Sequence, residues 1–405
     1  MILHAKNKER PLSLSVKPNC ITLSIEYENY TDVFSYDFEG RPWTFMINGV
    51  SYRRGLDGKT VAKWIEKDGL RNRRWLTEQE ADGMAEKARV LAADLLQGIQ
   101  TGLVCFDSVL PAEGLRGLET AGVFDCTKRI LERTRYGQIY LPVGILPPDH
   151  YGAVVLQATL GCSFNTCTFC SFYKDRPFRI KKADEFEQHC QDVKGLLGEG
   201  LSLRRTLFLG DANALVVPMK RLVPLLEISH KYFDLEELGG VFAFLDGVGG
   251  ERKTRADFRL LAKLGLKRVY IGLESGSARL LRFLRKPSSP TDVLQLVKVI
   301  KSSGISVGVI VLLGAGGKTY QDEHIRQTTS ILNKMHLGMD DILYFSELIE
   351  SEGMDYVKDA YDHQLMPLTS EERVQQAEMI ERGLSFSARQ GVPHISRYDI
   401  REFVY

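Results

Sequence analysis

The sequence predicts an α/β protein: an incomplete (β/α)6 barrel with an N-terminal α+β domain before it and a helical C-terminal tail after it. The main observation is alternation. From Tyr151 onward, apolar runs at Ala153–Thr159, Thr206–Leu209, Val241–Leu245, Arg268–Gly272, Ser306–Leu313 and Asp341–Phe345 read as strands. Between them, Ala183–Leu197, Met219–Phe233, Lys253–Leu264, Thr291–Ser303 and Tyr320–Met335 carry helical periodicity. Strands separated by helices in this way form a parallel sheet with helical crossovers. Six strands fall short of a closed eight-stranded barrel, which takes roughly 250 residues.

The second observation is a change of pattern near Pro147-Pro148. Before it, the alternating runs Leu12–Val16, Cys20–Tyr27, Val33–Phe38 and Thr44–Ile47 read as strands, with turn residues such as Asn48-Gly49 between them. Thr77 and Glu80 form a capping-box pattern ahead of Ala81, Met84, Ala88 and Leu91 at helical spacing. Residues 1–148 are therefore expected to form a domain of their own, placed to bind a substrate or partner. The third observation is the end of the chain. Thr369 and Glu372 form another capping box, followed by Val374, Ala377, Ile380 and Leu384. The expected organisation is 1–148, a barrel at 149–350 and a helical extension at 351–405.

The 405 residues are 44% hydrophobic and 26% charged, which permits a substantial core. Lys plus Arg is 53 and Asp plus Glu is 52, so no global charge bias points to nucleic acid or an anionic membrane. No apolar run reaches the roughly 18 residues that span a bilayer, and Ile305–Ala315 reads as a buried strand. The start of the chain has no signal-peptide core, so a cytoplasmic location is expected. Arg53-Arg54 and Arg71-Asn-Arg-Arg74, near Trp64 and Trp75, read as solvated surface, with RNA or an anionic substrate as the alternative.

Seven cysteines are present, and three lie in the segment Gly161-Cys-Ser-Phe-Asn-Thr-Cys-Thr-Phe-Cys-Ser-Phe-Tyr173. This C-x4-C-x2-C spacing directly follows the first barrel strand, where β/α folds gather their reactive groups. Three thiolates on one loop, Cys162, Cys167 and Cys170, can hold three irons of a cubane and leave the fourth open to a small molecule. A zinc site would need a fourth protein ligand, and His189 or Cys190 falls on a helix some way off. Cys20, Cys105, Cys126 and Cys190 are expected to be buried apolar residues.

This loop resembles the cluster motif of the radical SAM superfamily, with Phe169 in the aromatic position and a first gap one residue longer than usual. The resemblance covers about 151–350. It is similar to the group that includes anaerobic coproporphyrinogen oxidases, tRNA methylthiotransferases and elongator-type enzymes. It implies a 4Fe–4S cluster and S-adenosyl-L-methionine (SAM) as cofactors, with Cys162, Cys167 and Cys170 as the metal ligands. It also implies an external one-electron donor of the flavodoxin or ferredoxin type. In Leu209-Gly-Asp-Ala-Asn213 it assigns Asp211 and Asn213 to the methionyl ammonium, with a helix-capping turn as the plain reading of Asp211. In Ile271-Gly-Leu-Glu-Ser-Gly-Ser277 it assigns Glu274 to the ribose hydroxyls, with Ser275 beside it. Gly314 and Gly316, after the fifth strand, would pack on adenine. Asp246 is a loop carboxylate within reach of substrate or SAM. His324 reads as a solvated helix histidine more readily than as a proton donor.

The activity expected from the resemblance is reductive cleavage of SAM to a 5′-deoxyadenosyl radical, which takes hydrogen from a substrate the sequence does not identify. The alternatives are SAM-derived group transfer to RNA or a small molecule, or a non-catalytic Fe–S regulatory protein. There is no second C-x2-C cluster of the peptide-modifying type and no Asp-x-His-x-x-Gly cobalamin motif.

Overall fold

The computed structural model describes residues 1–7, 10–66, 69, 71–247 and 252–405. They fall into two compact units, 1–143 with 191–205 and 401–405, and 144–190 with 206–400.

In the first unit, eight strands form an antiparallel meander in chain order. They are β1 (Ile2–Asn7), β2 (Arg10–Lys17), β3 (Cys20–Glu26), β4 (Thr31–Tyr36), β5 (Pro42–Ile47), β6 (Val50–Arg54), β7 (Thr60–Ile65) and β8 (Arg71–Trp75). Period-two alternation sorts the faces: β2 buries Leu12, Leu14 and Val16 and turns Ser13 and Ser15 away from the core. Leu14, Leu23, Phe34 and Phe45 then meet helices α1 (Glu78–Gln100) and α2 (Ala112–Gly122), where Ala88, Ala92, Leu95 and Leu118 complete the core. The alanine stripe lets α1 lie close enough for the Tyr36 hydroxyl to donate to the Ala88 carbonyl at 2.8 Å. The Thr77–Glu80 capping box is formed. Helix α3 (Cys126–Ile139) follows. The basic run at Arg71 is an edge strand, with Arg71, Arg74 and Trp75 exposed.

The second unit carries a seven-stranded sheet in the order β17-β16-β15-β14-β13-β12-β9, with every neighbouring pair parallel. Its strands are β9 (Val154–Gln157), β12 (Leu207–Gly210), β13 (Val241–Phe244), β14 (Leu266–Glu274), β15 (Ser306–Leu313), β16 (Ile342–Glu347) and β17 (His394–Tyr398). Two short strands, β10 (Thr159–Leu160) and β11 (Arg179–Ile180), pair across the cysteine segment. The crossovers hold α4 (Ala183–Leu197), α5 (Met219–Tyr232), α6 (Arg255–Lys263), α7 (Ala278–Phe283), α8 (Pro290–Lys301) and α9 (Gly317–Met335). Six strands and their helices lie where the sequence pattern puts them, in an α/β fold with an antiparallel sheet before it.

The tail differs from a purely helical extension. It contains α10 (Asp355–Asp362) and α11 (Ser370–Arg382), but it then adds β17 to the sheet. Ile342–Ser346 pair in register with His394–Tyr398, so 351–400 belong to the barrel unit and only 401–405 group with the first. Two of the lone cysteines are also not core residues. Cys20 and Cys190 are buried, while Cys105 lies exposed in the loop after α1 and Cys126 exposed at the first position of α3. Among the described residues, no helix is long and apolar enough to cross a membrane.

Candidate functional site

A cavity of about 340 Å³ opens at the C-terminal ends of the parallel strands. Cys162, Cys167 and Cys170 all line it, each partly exposed. The loop that carries them is anchored through the backbone of Thr168, between Cys167 and Cys170. Thr168 N donates to the Leu284 carbonyl at 3.1 Å, and Tyr356 N donates to the Thr168 carbonyl at 3.0 Å. Burial pushes the Cys167 thiol up to about 12 and the Cys170 thiol above its ordinary value. Iron binding, which takes thiolates, therefore releases protons. Among the described residues, the cavity wall holds no further cysteine and no histidine. His189 and Cys190 are not available as a fourth ligand here: His189 Nε2 accepts from the Gln157 amide at 3.0 Å, and Cys190 is fully buried.

Phe169, Asn213, Asp246 and Glu274 share this cavity. Asn213 Nδ2 donates to Asp246 and, at 3.1 Å, to Ser163 Oγ; Asp246 N donates back to Asn213 Oδ1 at 3.2 Å. The loops after β12 and β13 are thereby tied together, with a carboxylate on the wall. Glu274 ends β14 with φ of 57°, in the left-handed region, where the register to β15 slips between Gly272 and Glu274. An ordinary residue held there is strained, and such strain is characteristic of functional sites. Its Oε1 accepts from Lys286 Nζ at 3.0 Å, and both side chains are about 10% exposed. Burial opposes the charge on Lys286, but the Glu274 carboxylate and the adjacent Cys167 hold its pKa above the usual lysine value. A Cβ on Gly272 would collide with this pair, so the glycine makes room for it. Lys286 was not singled out from the sequence. It sits in an Arg-rich run, Arg279 to Lys286, and only the fold brings it to Glu274.

The other expected contacts lie off the cavity wall. Asp211 is buried, with Oδ1 accepting from Gln157 Nε2 at 2.8 Å and Oδ2 from Gly161 N at 3.1 Å. Both oxygens are engaged in holding the start of the cysteine loop, and burial raises the carboxyl above its ordinary pKa. Ser275 is fully buried; its hydroxyl meets His324 Nδ1 at 2.7 Å and accepts from Ser277 N at 3.0 Å. Gly314 and Gly316 have φ of 81° and 77°, which favours glycine. Gly314 N donates to Gln376 Oε1 and Gly316 N to the Tyr356 hydroxyl, so both glycines serve the seating of α10 and α11 on the sheet.

His324 is fully buried on α9 and not solvated. Burial lowers it to about 4, and His150, buried beside Phe242, is likewise lowered by burial to about 4. Both are neutral in the fold, whereas an unfolded histidine titrates near 6.5. Protonation therefore favours the unfolded chain, and stability present above pH 6.5 is lost as pH falls toward 4. Each histidine should cost about 1.4 kcal/mol per pH unit across that window. Urea midpoints measured between pH 7.5 and 4.5 should show this fall, and His324→Gln should make it shallower, leaving the His150 contribution. A flat wild-type profile would contradict the assignment.

The sequence model of the radical SAM superfamily matches residues 156–329. An uncharacterized protein of Methanocaldococcus jannaschii is 24% identical over 200 residues, covering 47% of this chain and 39% of that protein. Coproporphyrinogen III oxidase (HemN) from Escherichia coli, a radical SAM enzyme, superposes with a TM-score of 0.42 at 12% identity, over 54% of this chain and 49% of that one. Streptococcus suis SuiB, solved bound to S-adenosylmethionine, gives 0.42 at 12% identity, over 87% of this chain and 72% of that one. The chain thus spans less than half the length of the first two of these. Residues 156–329 thus match the radical SAM superfamily, whose cofactors are a 4Fe–4S cluster and SAM.

Proposed function

We propose that this chain reductively cleaves SAM and directs the resulting radical at a substrate C–H bond. The observation that carries the reading is that three thiols, a buried Glu–Lys pair and an Asn–Asp pair line one cavity. The donor set fits the cluster: three cysteines on one anchored loop, with no further cysteine and no histidine on the wall among the described residues. A 4Fe–4S cluster held by Cys162, Cys167 and Cys170 would supply the low-potential electron for reductive cleavage of SAM to methionine and a 5′-deoxyadenosyl radical.

The chain's own residues do the holding. Cys162, Cys167 and Cys170 would ligate iron. Asp246 and Asn213 offer acceptors suited to the methionyl ammonium, in place of Asp211. The Lys286 ammonium suits the carboxylate. Glu274 keeps one carboxylate oxygen on Lys286 and offers the other to the ribose diol, which donates to an acceptor-only group. Phe244, Leu312, Leu348 and Ile349 supply the apolar walls that exclude water.

The test is direct. Protein reconstituted anaerobically, reduced and given SAM should release 5′-deoxyadenosine and methionine, resolved by chromatography and mass. Glu274→Gln should weaken SAM binding by about 1–3 kcal/mol with iron content unchanged. Intact SAM after prolonged reduction of a cluster-loaded sample would rule the reading out.

A further inference from the structure

We propose that the Tyr398 phenol donates a hydrogen atom to the nucleoside radical when the cavity holds no substrate, an inference that rests on the SAM-cleaving reading above. Tyr398 ends β17 and lines the same cavity as Cys162, Cys167 and Cys170. The strand places it opposite Ser346 of β16, to whose side chain it is hydrogen-bonded and which also lines the cavity.

Tyr173 and Tyr270 also line the cavity, but their hydroxyls have other neighbours. Tyr270 forms part of the cavity wall, but its hydroxyl donates to Asp149 and lies 2.7 Å from His150 Nε2. Tyr344 donates to Asp149 Oδ1 at 2.8 Å. Tyr173, in the cysteine loop, has its hydroxyl against Gly144 and its ring 5.8 Å from the Arg176 guanidinium. Tyr398 is thus a wall phenol whose hydrogen-bond partner, Ser346, also lines the cavity. Burial keeps it protonated well above neutral pH. Behind it, the Tyr344 ring lies at 5.3 Å, edge-on, and Tyr344 stacks with Tyr270 at 6.5 Å. A phenoxyl radical formed at Tyr398 has two further phenols behind it.

The step balances. The Tyr398 O–H bond breaks, its hydrogen atom forms a C–H bond at C5′, and 5′-deoxyadenosine results. Tyr398 is left as a neutral phenoxyl radical. The primary C–H bond formed is stronger than the phenolic O–H bond lost, so the transfer runs downhill. The one-electron donor that reduced the cluster supplies a second electron, and solvent a proton, to restore the phenol. The phenolic hydrogen exchanges with water, whereas carbon-bound hydrogens do not, and this distinction gives the experiment.

Full-length, cluster-loaded protein exchanged into D2O is given SAM and dithionite with no substrate. Wild type should form 5′-deoxyadenosine carrying one deuterium. Samples frozen during the reaction should show a tyrosyl radical by electron paramagnetic resonance, narrowed when ring-deuterated tyrosine is incorporated. Tyr398→Phe keeps the ring and loses the hydroxyl; its deuterated fraction should fall several-fold and the radical signal should vanish. Unlabelled 5′-deoxyadenosine from wild type, or an unchanged deuterated fraction in Tyr398→Phe, overturns this inference and leaves SAM cleavage standing. No 5′-deoxyadenosine from either protein overturns both.

Discussion

Replacing Cys162, Cys167 or Cys170 singly with Ala is expected to abolish cluster assembly and SAM cleavage together. Wild-type protein reconstituted anaerobically should hold about four irons per chain, with the broad visible absorption of a cubane. Each of the three variants should lose that absorption, because the loop supplies no spare thiolate and the cavity wall, among the described residues, offers no other cysteine or histidine. Cys20→Ala, Cys126→Ala and Cys190→Ala should keep iron content, since none of these residues lines the cavity. Iron uptake at the wild-type level by Cys167→Ala would remove that residue from the ligand set. Zinc in place of iron in anaerobically isolated protein would replace the cluster with a structural metal.

Lys286→Met should be the most destabilising single change in the cavity. It removes the ammonium and leaves the Glu274 carboxylate buried, about 10% exposed, at a strained backbone position. Removing one partner of a buried pair typically costs about 3–5 kcal/mol, because the remaining charge has no compensation. Urea unfolding of the iron-free protein would read this directly. The double variant Glu274→Gln/Lys286→Met should recover much of the loss, since the stranded charge is gone. A single-variant loss below about 1 kcal/mol would mean that water or another group already compensates Glu274. SAM affinity should fall in the single and in the double variant, so binding and stability separate the two roles of the pair.

The legible part of the fold is the part in which burial is periodic. The helix Ala183–Leu197 and the strand Ser306–Leu313 have the expected ends, because their apolar residues repeat with the element's own period. β17 was not legible. His394-Ile-Ser-Arg-Tyr398 carries no apolar run, and it is a strand because β16 offers it a parallel edge. β8, Arg-Asn-Arg-Arg-Trp, is hidden for the same reason. In the site, spacing alone identified the cysteine loop, whose residues are close in the chain. Asp211 and Ser275 carry suitable chemistry on the expected loops, yet they spend it on Gly161 and His324. Which atom a polar side chain meets is a tertiary fact. Lys286 makes the converse point: a charge in an Arg-rich run acquires its partner only when β14 and the end of α7 come together.

The sheet of the second unit is laid down in strict chain order from β9 to β17. The last thiol of the cysteine loop is Cys170 and the wall tyrosine of β17 is Tyr398, which follows it by 228 positions in the chain. A ribosome adding about 5–20 residues per second takes roughly 11–46 seconds to cover that interval. For that time the nascent chain presents its three thiols beside a wall that does not yet exist. Iron delivered during synthesis would meet an open trough, while iron delivered afterwards would meet the completed cavity. The same connectivity that sets the geometry of the cavity therefore also sets a clock for loading it.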